Sequence, residues 1–345
     1  MPGYKEIAVQ LEEKVLAGAY DASNGRLPII DDLCHEFNAS RVTIFRAVGV
    51  LKEKGVLNTS PKRGISVTRL KRKRSNVLGA VLKVDGGSNL HDQLISGMQQ
   101  TAAQHGLVVA ITSEKKNLPG TLSNQIKDLV EIQNVDGVIV WNTDSKKRAQ
   151  YVDYLKENEI PFVLLPEADL NLYADCNVVN NNNTQGVYDI MKHLLKKNHK
   201  SIGFLGENFT SSHEIVRYQQ YSNSMQEAGH KSIQYSFSKL QLSSNPFEGI
   251  TALVCATDII AFRVLQICLD LGIKVPHDLA IVGYDNIHTA KVIGLSSVEQ
   301  NFKEIGALAI DLLVKDLNQK LDGPEHISVK SKLIIRNSSM KMLES

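Results

Sequence analysis

The chain has 345 residues, of which 43% are hydrophobic and 22% charged, and this predicts two or three ordinary globular domains. Its net charge of +2 hides an asymmetry, because residues 1–75 carry a net charge of +6 and the remaining residues −4. A basic first part predicts contact with a polyanion. No apolar run reaches the length of a membrane span, and acidic residues interrupt the N-terminus where a signal peptide needs an apolar core. We therefore expect a cytoplasmic protein without a membrane partner.

Cysteine and histidine spacing predicts no metal or cofactor. The four cysteines are widely separated and form no C-x-x-C pair: Cys34, Cys176, Cys255 and Cys268. The ten histidines show no H-x-x-x-H spacing, and His199 is better interpreted as a structural residue at the start of a strand. Reduced thiols are the expectation for such a chain, with neither a zinc site nor a disulfide framework.

Two short helices are predicted first. Apolar residues at helical spacing predict a helix that stops at Gly18. After the turn "NGRLP", a second helix carries Leu33, Cys34 and Phe37 on one face. Acidic residues Asp31 and Asp32 lie in its first turn, where the helix dipole favours them.

A third helix is predicted in "NASRVTIFRAVGVLKEKGVLN", with Ser40 as its N-cap. Its expected core positions are Val42, Ile44, Ala47, Val48 and Leu51. Arg41, Thr43 and Arg46 would then project from its N-terminal half. After Gly55, "VLNTSPKRGISVTRL" predicts two strands around a Pro-Lys-Arg-Gly tip. Three helices followed by a basic hairpin form an α+β winged helix-turn-helix.

This plan predicts binding to double-stranded DNA, because an α-helix fits the major groove and its first turns reach base edges. The segment 60–74 adds seven basic residues and no acidic one. Taken singly, surface arginines and a basic run are more often solvated surface or linker; their ordered combination favours DNA contact. The predicted DNA-binding residues are Ser40, Arg41, Thr43, Arg46, Lys62, Arg63 and Gly64.

The pattern from Tyr4 to Val67, which includes "GRLP", "SRVTI" and "RG", resembles the GntR-type DNA-binding domain. The resemblance implies DNA contact by Arg41, Thr43, Arg46 and Gly64. The family usually has Ser-Glu-Arg-Glu after Leu-Pro, where this chain has Ile-Ile-Asp-Asp at 29–32. Phe45 occupies another position that is commonly arginine. We therefore expect an operator that differs from the common site of the family.

From Asn76 onward, short apolar runs such as "VLGAVLKVD" and "LAIVGYDN" alternate with amphipathic segments. Such runs predict parallel sheets covered by helices on both faces. Ligands bind in the crevice beyond the carboxyl ends of such strands. Asp85, Trp141, Asp258 and Asp285 end predicted strands, so carboxylates and an aromatic face could meet a polyhydroxylated ligand. The alternative is that strand ends are polar only because they enter loops.

Residues 77–339, and "IKVPHDLAIVGYDN" most strongly, resemble the effector domain of LacI/GalR repressors, a periplasmic-binding-protein-like α/β fold of two subdomains. The resemblance implies that Arg217 and Asp285 bind hydroxyls of a small-molecule effector, most simply a carbohydrate. Thr257 replaces a usual Asn, and Asn182-Asn183 replace a usual Asp-Asn pair. The resemblance implies a strand and a helix in the segment 230–251, but its 22 residues leave little room for the helix. A GntR head on this body is the arrangement of arabinose repressors of the AraR type.

The predicted bounds are 1–70 for the winged helix-turn-helix domain, 71–76 for a basic linker and 77–345 for the ligand-sensing domain. The first subdomain would comprise about 77–180 and 291–322, and the second about 181–290 and 323–345. A homodimer would place two winged helices on a pseudo-palindromic operator.

The sequence bears on three other classes of function. Dinucleotide, P-loop and nucleophile-elbow motifs are absent from the sequence, which argues against an enzyme. A periplasmic solute-binding protein would share the body but would not carry a basic winged helix. A DNA-binding regulator with a ligand-blind body remains the alternative, because the pocket residues depart from the family pattern.

Overall fold

The structure is a computed structural model that describes residues 3–17, 19–20, 26–60, 64–67, 74–83, 90–114, 121–141, 148–165, 173–240 and 245–340. The chain divides into two compact units, residues 1–74 and 75–345. Each unit has its own hydrophobic core.

The first unit contains three helices and a two-stranded antiparallel hairpin: α1 (Tyr4–Leu16), α2 (Ile30–Glu36), α3 (Arg41–Glu53), β1 (Leu57–Ser60) and β2 (Gly64–Val67). Its core consists of apolar side chains from all three helices and the hairpin, with Ile7, Leu33, Ile44 and Leu51 fully buried. The predicted winged helix-turn-helix fold is confirmed.

The first subdomain of the second unit contains a sheet of six described strands in the order β13-β7-β6-β5-β3-β4, all paired in parallel. Its elements are β3 (Val77–Lys83), α4 (Leu90–Gln104), β4 (Val108–Glu114), α5 (Thr121–Lys127), β5 (Gly137–Val140), α6 (Arg148–Glu157), β6 (Phe162–Leu164), β7 (Asn177–Asn181), α11 (Phe302–Leu317) and β13 (His326–Val329). A π-helical turn, Asp128–Ile132, extends α5.

Two glycines bring α4 and α11 into backbone contact. A Cβ at Gly97 would lie 2.0 Å from the carbonyl oxygen of Lys303, and one at Gly306 would lie 2.3 Å from that of Leu94. Because neither backbone could then keep its place, these two positions require glycine. Within this pair, α11 packs on β5, β6 and β7, and α4 packs on β4.

The second subdomain contains a mixed sheet of six described strands in the order β14-β12-β11-β10-β8-β9, in which only β14 runs antiparallel to its neighbour. Its elements are α7 (Asn183–Lys196), β8 (Ile202–Gly206), α8 (Ser212–Glu227), β9 (Ile233–Ser236), β10 (Ala252–Cys255), α9 (Asp258–Asp270), β11 (Ala280–Asp285), α10 (His288–Val292), β12 (Ser296–Glu299) and β14 (Lys332–Ile334).

The segment 230–251 keeps a strand, β9, and its described residues form no α-helix, as its short length predicts. Between β9 and β10 the described residues form only a 3-10 turn, Phe237–Lys239, and hydrogen-bonded turns around 246–249. His199 is buried three residues before β8, and its Nδ1 lies 2.9 Å from the hydroxyl of Thr251. The structural interpretation of this histidine agrees with that position.

The chain crosses between the two subdomains at residues 181–183, 300–301 and 330–331. Two predicted segment limits are therefore wrong. Residues 296–299 form β12 beside β11 in the second sheet, and residues 326–329 form β13 beside β7 in the first. The physical reason is that β12 is a mostly buried strand of the second sheet. The hydrophobic periodicity of the sequence predicts such a strand but does not show to which subdomain it belongs.

Candidate functional site

Helix α3 begins at a side-chain cap. The Ser40 hydroxyl accepts a hydrogen bond from the backbone N–H of Thr43 at 3.3 Å and lies 2.8 Å from the Thr43 hydroxyl. The cap satisfies one of the free N–H groups of the first turn and fixes where the helix starts. Both hydroxyls therefore have a structural role in addition to the DNA contact that was predicted for them.

The first residue of α3, Arg41, is held by a carboxylate of α2. Its Nε and Nη2 atoms donate to the two carboxylate oxygens of Asp31 at 2.6 and 2.5 Å. This hydrogen bond keeps the pKa of Asp31 below its ordinary value. The negative charge of Asp31 is thus matched within the domain by Arg41, one of the predicted DNA-binding residues.

The outward face of α3 is partly apolar. The prediction that Val42 lies in the core is wrong, because 63% of this residue is exposed, and Phe45 is 58% exposed. The other four expected core positions are buried on the opposite face of the helix, at the spacing of one turn: Ile44, Ala47, Val48 and Leu51.

The remaining predicted DNA contacts lie on α3 and the hairpin. Arg46 is exposed on α3, and Gly64 opens β2 with a φ of +74°, which favours glycine. Lys62 and Arg63 lie outside the described residues. DNA contact by each of these residues stays a prediction.

A cavity of about 400 Å³ lies between the two subdomains of the second unit. The first subdomain lines it mainly with apolar side chains, and the second contributes most of the polar and charged ones. The apolar group comprises Leu90, Trp141, Leu165, Val179, Phe302 and Ile305. The polar group includes Glu207, Thr210, His213, Arg217 and Asp285.

Arg217 is the centre of the polar wall. This buried guanidinium donates to the side-chain oxygen of Asn183 at 2.9 Å and to the carbonyl of Ala256 at 2.6 Å. It lies 3.6 Å from a carboxylate oxygen of Asp285 and 3.6 Å from the centre of the Tyr284 ring. These contacts fix the arginine before any ligand arrives, which lowers the entropic cost of binding.

Asp285 ends β11 inside the cavity with a φ of +114°. An aspartate in this conformation is strained, and such strain is concentrated at functional sites. Burial raises the pKa of this carboxyl above its ordinary value, although the nearby Arg217 acts in the opposite direction. The amide of Gln300 donates to the same carboxylate, so the residue is tied to the second crossover.

Asp258 does not line the cavity, contrary to its prediction as an effector-binding residue. It is fully buried at the start of α9, and its two carboxylate oxygens accept from the Ser297 hydroxyl at 2.6 Å and the Ile287 N–H at 2.9 Å. Gly283 makes this possible, because a Cβ there would lie 2.2 Å from the carboxylate. The Asp258 side chain therefore lies in the protein interior and not in the cavity.

Trp141 lines the cavity, with its ring centre 5.0 Å from that of His91 and 5.3 Å from that of Phe302. Of these three rings, only that of Trp141 was predicted to line the site. The other two begin helices α4 and α11 rather than end strands, so the strand-end signal did not include them. Asp85, the other residue predicted for this subdomain, lies outside the described residues.

Two amide side chains at the first crossover, Asn181 and Asn183, also belong to the site, and the sequence pattern had pointed only to Asn183. Asn181 donates to Gln300, and Asn183 receives the hydrogen bond from Arg217. Asn181 and Gln300 are 119 positions apart in the chain, and the exchange of strands between the subdomains brings them together. The unusual "NNNN" run at 180–183 was the one available signal in the sequence.

Two further properties apply to the described part of the chain. No group of three or more His, Cys, Asp or Glu side chains is arranged to hold a metal ion. No helix among these residues has the length and apolarity needed to cross a bilayer.

Comparison with known proteins assigns both units. Residues 3–67 match the family described as bacterial regulatory proteins, gntR family, and residues 191–339 match the periplasmic binding protein-like domain. The arabinose metabolism transcriptional repressor of Geobacillus stearothermophilus is 24% identical over 99% of this chain and 99% of its own length. The transcriptional repressor PurR of Histophilus somni is 25% identical over 71% of this chain and 76% of its own.

Among solved structures, the complex of the transcriptional regulator CelR with cellobiose is similar, with a TM-score of 0.65 and 17% identity. The match covers 91% of this chain and all of that one. At this identity the likeness shows the fold. The relatives named above are transcriptional regulators, not enzymes. One chain thus combines a segment that matches the gntR family of bacterial regulatory proteins, residues 3–67, with a segment that matches the periplasmic binding protein-like domain, residues 191–339.

Proposed function

We propose that this protein is a cytoplasmic transcriptional regulator, a repressor of carbohydrate-utilisation genes, that binds an operator through α3 and an effector in the cavity. One observation carries the proposal: a capped helix bearing Arg41, Thr43 and Arg46 is encoded in the same chain as a cavity lined by Arg217 and Asp285. The repressor names of the two relatives and the sugar bound in the CelR complex support this assignment.

The cavity suits a ligand with hydroxyl groups on one side and an apolar face on the other. Asp285 accepts and Arg217 donates hydrogen bonds, which is the pairing that neighbouring hydroxyls require. Trp141 and Phe302 offer aromatic faces to the C–H side of a sugar ring. We include Asp85 in the proposed site because it follows β3 in the sequence. His91 and Gln300 add polar groups to the cavity lining.

Signalling would proceed through the three crossovers. Gln300 donates to Asp285 and accepts from Asn181, and the Ser331 hydroxyl donates to the carbonyl of Asn182 at 3.2 Å. A ligand bound to Asp285 would alter this chain of hydrogen bonds, and closure of the cavity would rotate one subdomain against the other. In a homodimer, that rotation would change the spacing of two α3 helices on a pseudo-palindrome. A release from 99% to 1% bound needs about 5.5 kcal/mol of differential binding.

The test is calorimetry with pentoses, hexoses, disaccharides and uronic acids, together with operator binding in the presence of each sugar. We expect one class to bind and to change the affinity for DNA. Asp285→Asn should abolish the response to that sugar and leave operator binding intact. If no sugar binds and the operator affinity never changes, the ligand-blind alternative replaces the sensor. Light scattering that shows only monomer, with and without DNA, would refute the dimer.

A further inference from the structure

The outward face of α3 carries two large apolar side chains that the fold leaves in water. Val42 and Phe45 are three residues apart, so they lie side by side on one face of the helix. Side chains of this size are usually removed from water when their helix packs on a core. Their position on the first two turns, between Arg41 and Arg46, sets them in the part of the helix that reaches into a groove.

Gly49 extends the same face without a side chain. It lies four residues after Phe45, in the middle of the helix, where glycine is less stable than alanine. A Cβ at this position would meet no atom within 4 Å, so packing inside the domain does not require the glycine. The missing side chain therefore leaves room for something that approaches from outside.

The polar readers on this face are reduced. Asp31 occupies the Nε and Nη2 side of the Arg41 guanidinium, which leaves mainly the Nη1 end to face a base. Guanine is typically read by arginine, which donates hydrogen bonds to its O6 and N7 atoms, whereas this face presents Phe45. An apolar ring cannot donate those hydrogen bonds. The apolar group that a base pair presents in the major groove is the C5-methyl of thymine.

We propose that Val42 and Phe45 read thymine methyl groups in the major groove, and that Gly49 allows the helix to lie close to the DNA. This inference rests on the proposed DNA binding and specifies what the helix recognises. Residues three apart on a helix are separated by about 4.5 Å along its axis, and base pairs by about 3.4 Å. The two side chains therefore suit thymines within two or three consecutive base pairs of each half-site.

The experiment begins with full-length protein and a random double-stranded DNA library, from which the most tightly bound site is selected. Each thymine of that site is then replaced in turn by deoxyuridine, which removes only the methyl group. We expect one or two positions per half-site at which the replacement weakens binding about four-fold, equivalent to about 0.8 kcal/mol. Replacement at the other positions should leave the affinity unchanged.

Variants connect the methyl groups to the side chains. In Phe45→Ala or Val42→Ala, the thymine-to-uridine penalty should disappear at the position that the lost side chain reads. Val9→Ala removes an equally exposed apolar side chain from α1, which is not a recognition helix, and should retain the full penalty. Thermal melting of each variant verifies that the domain is folded.

Each result has a definite consequence. A selected site that is insensitive to uridine at every position overturns the inference, as does a penalty that persists in both apolar variants. Loss of binding in Phe45→Ala with no uridine effect would assign the ring to the sugar-phosphate backbone and also overturns it. If no DNA is enriched from the library, the proposed DNA binding itself fails, and the thymine inference fails with it.

Discussion

Each of the two units ties an arginine to an aspartate at its proposed site, but in opposite surroundings. The side chains of Arg41 and Asp31 are 65% and 49% exposed, whereas those of Arg217 and Asp285 are 4% and 10% exposed. The exposed pair has shorter contacts, at 2.5 and 2.6 Å against 3.6 Å. Contact distance alone would therefore rank the exposed pair as the more important for stability, although the buried pair is the one whose loss should cost more.

Surroundings decide what each pair can do. Water and salt screen an exposed ion pair, so it contributes little to stability and can open when a phosphate or a base competes for the arginine. A buried pair has no such exchange, because each charge has lost its hydration and depends on the other. The exposed pair thus suits a contact that forms and breaks with DNA, and the buried pair suits a fixed receptor for a neutral ligand.

The largest expected effect is that of Arg217→Met, which keeps an unbranched side chain beside Tyr284 and removes the charge. Asp285 would then be buried without its cation, and the loss of one partner of a buried pair typically costs about 3–5 kcal/mol of unfolding free energy. Because a carboxyl can escape the penalty by protonation, the loss should be smaller at acidic than at neutral pH. Chemical denaturation at both pH values measures it.

Arg263→Met is the matched control. Arg263 also pairs with a carboxylate, that of Glu207, and lies over the ring of Phe237, but both charged side chains are nearly half exposed. Its replacement should change the unfolding free energy by about 0–1 kcal/mol. Equal losses in the two variants would mean that burial does not distinguish the pairs.

Asp258→Asn tests a second buried carboxylate, which has no cation in direct contact among the described residues. Burial raises the pKa of Asp258 from 3.8 to about 7, so the folded protein binds a proton more tightly than the unfolded chain does. The stability from this carboxyl is present at acidic pH and decreases as the pH rises from about 4 to 7. The variant cannot titrate, so its melting temperature should decrease less across that window. An identical pH profile in wild type and variant would contradict the raised pKa.

Arg41→Ala tests the exposed pair on the DNA side. If Arg41 reads a base, its loss should weaken binding to the selected operator by about 1–3 kcal/mol and relax sequence preference. Fluorescence anisotropy on operator and scrambled DNA measures both quantities. Lys54→Ala is the control, because Lys54 follows the C-terminal end of the same helix and is also ion-paired, to Glu12. Equal losses on operator and scrambled DNA would make Arg41 a phosphate contact.

The sequence predicted the architecture well because the architecture depends on repeated local signals. The cap at Ser40 is a local signal at one position, and the 3.6-residue period of α3 and the apolar strand runs recur over many residues. Val42 was the exception within α3, because an apolar residue beside a core position has the same local signal whether it faces inward or outward. Only packing against α1 and α2 selects the buried face.

The cavity was less predictable because its residues meet through long-range crossings. Asp258 and Asp285 both follow strands, yet only Asp285 lines the cavity. The difference arises from Gly283, Ser297 and the N–H of Ile287, which together form an internal receptor for the Asp258 carboxylate. No period or motif near residue 258 encodes contacts with residues 25 to 39 positions away. Gln300 and the limits of the two subdomains could not be predicted for the same reason, because they depend on contacts between residues distant in the chain.

The smallest effect is expected from Asp31→Ala, and it separates the two pairs most sharply. Because the Asp31–Arg41 pair is exposed, its loss should leave the melting temperature of the protein unchanged. Its loss should still alter DNA binding, since the full charge of Arg41 becomes available to phosphates. Affinity for random DNA should rise, and the slope of log affinity against log salt should steepen by about one unit. Asp32→Ala removes the neighbouring carboxylate, which makes no bond to Arg41 in the described structure. If both variants steepen the slope equally, general charge explains the effect; a change confined to Asp31→Ala assigns it to the pair that restrains Arg41.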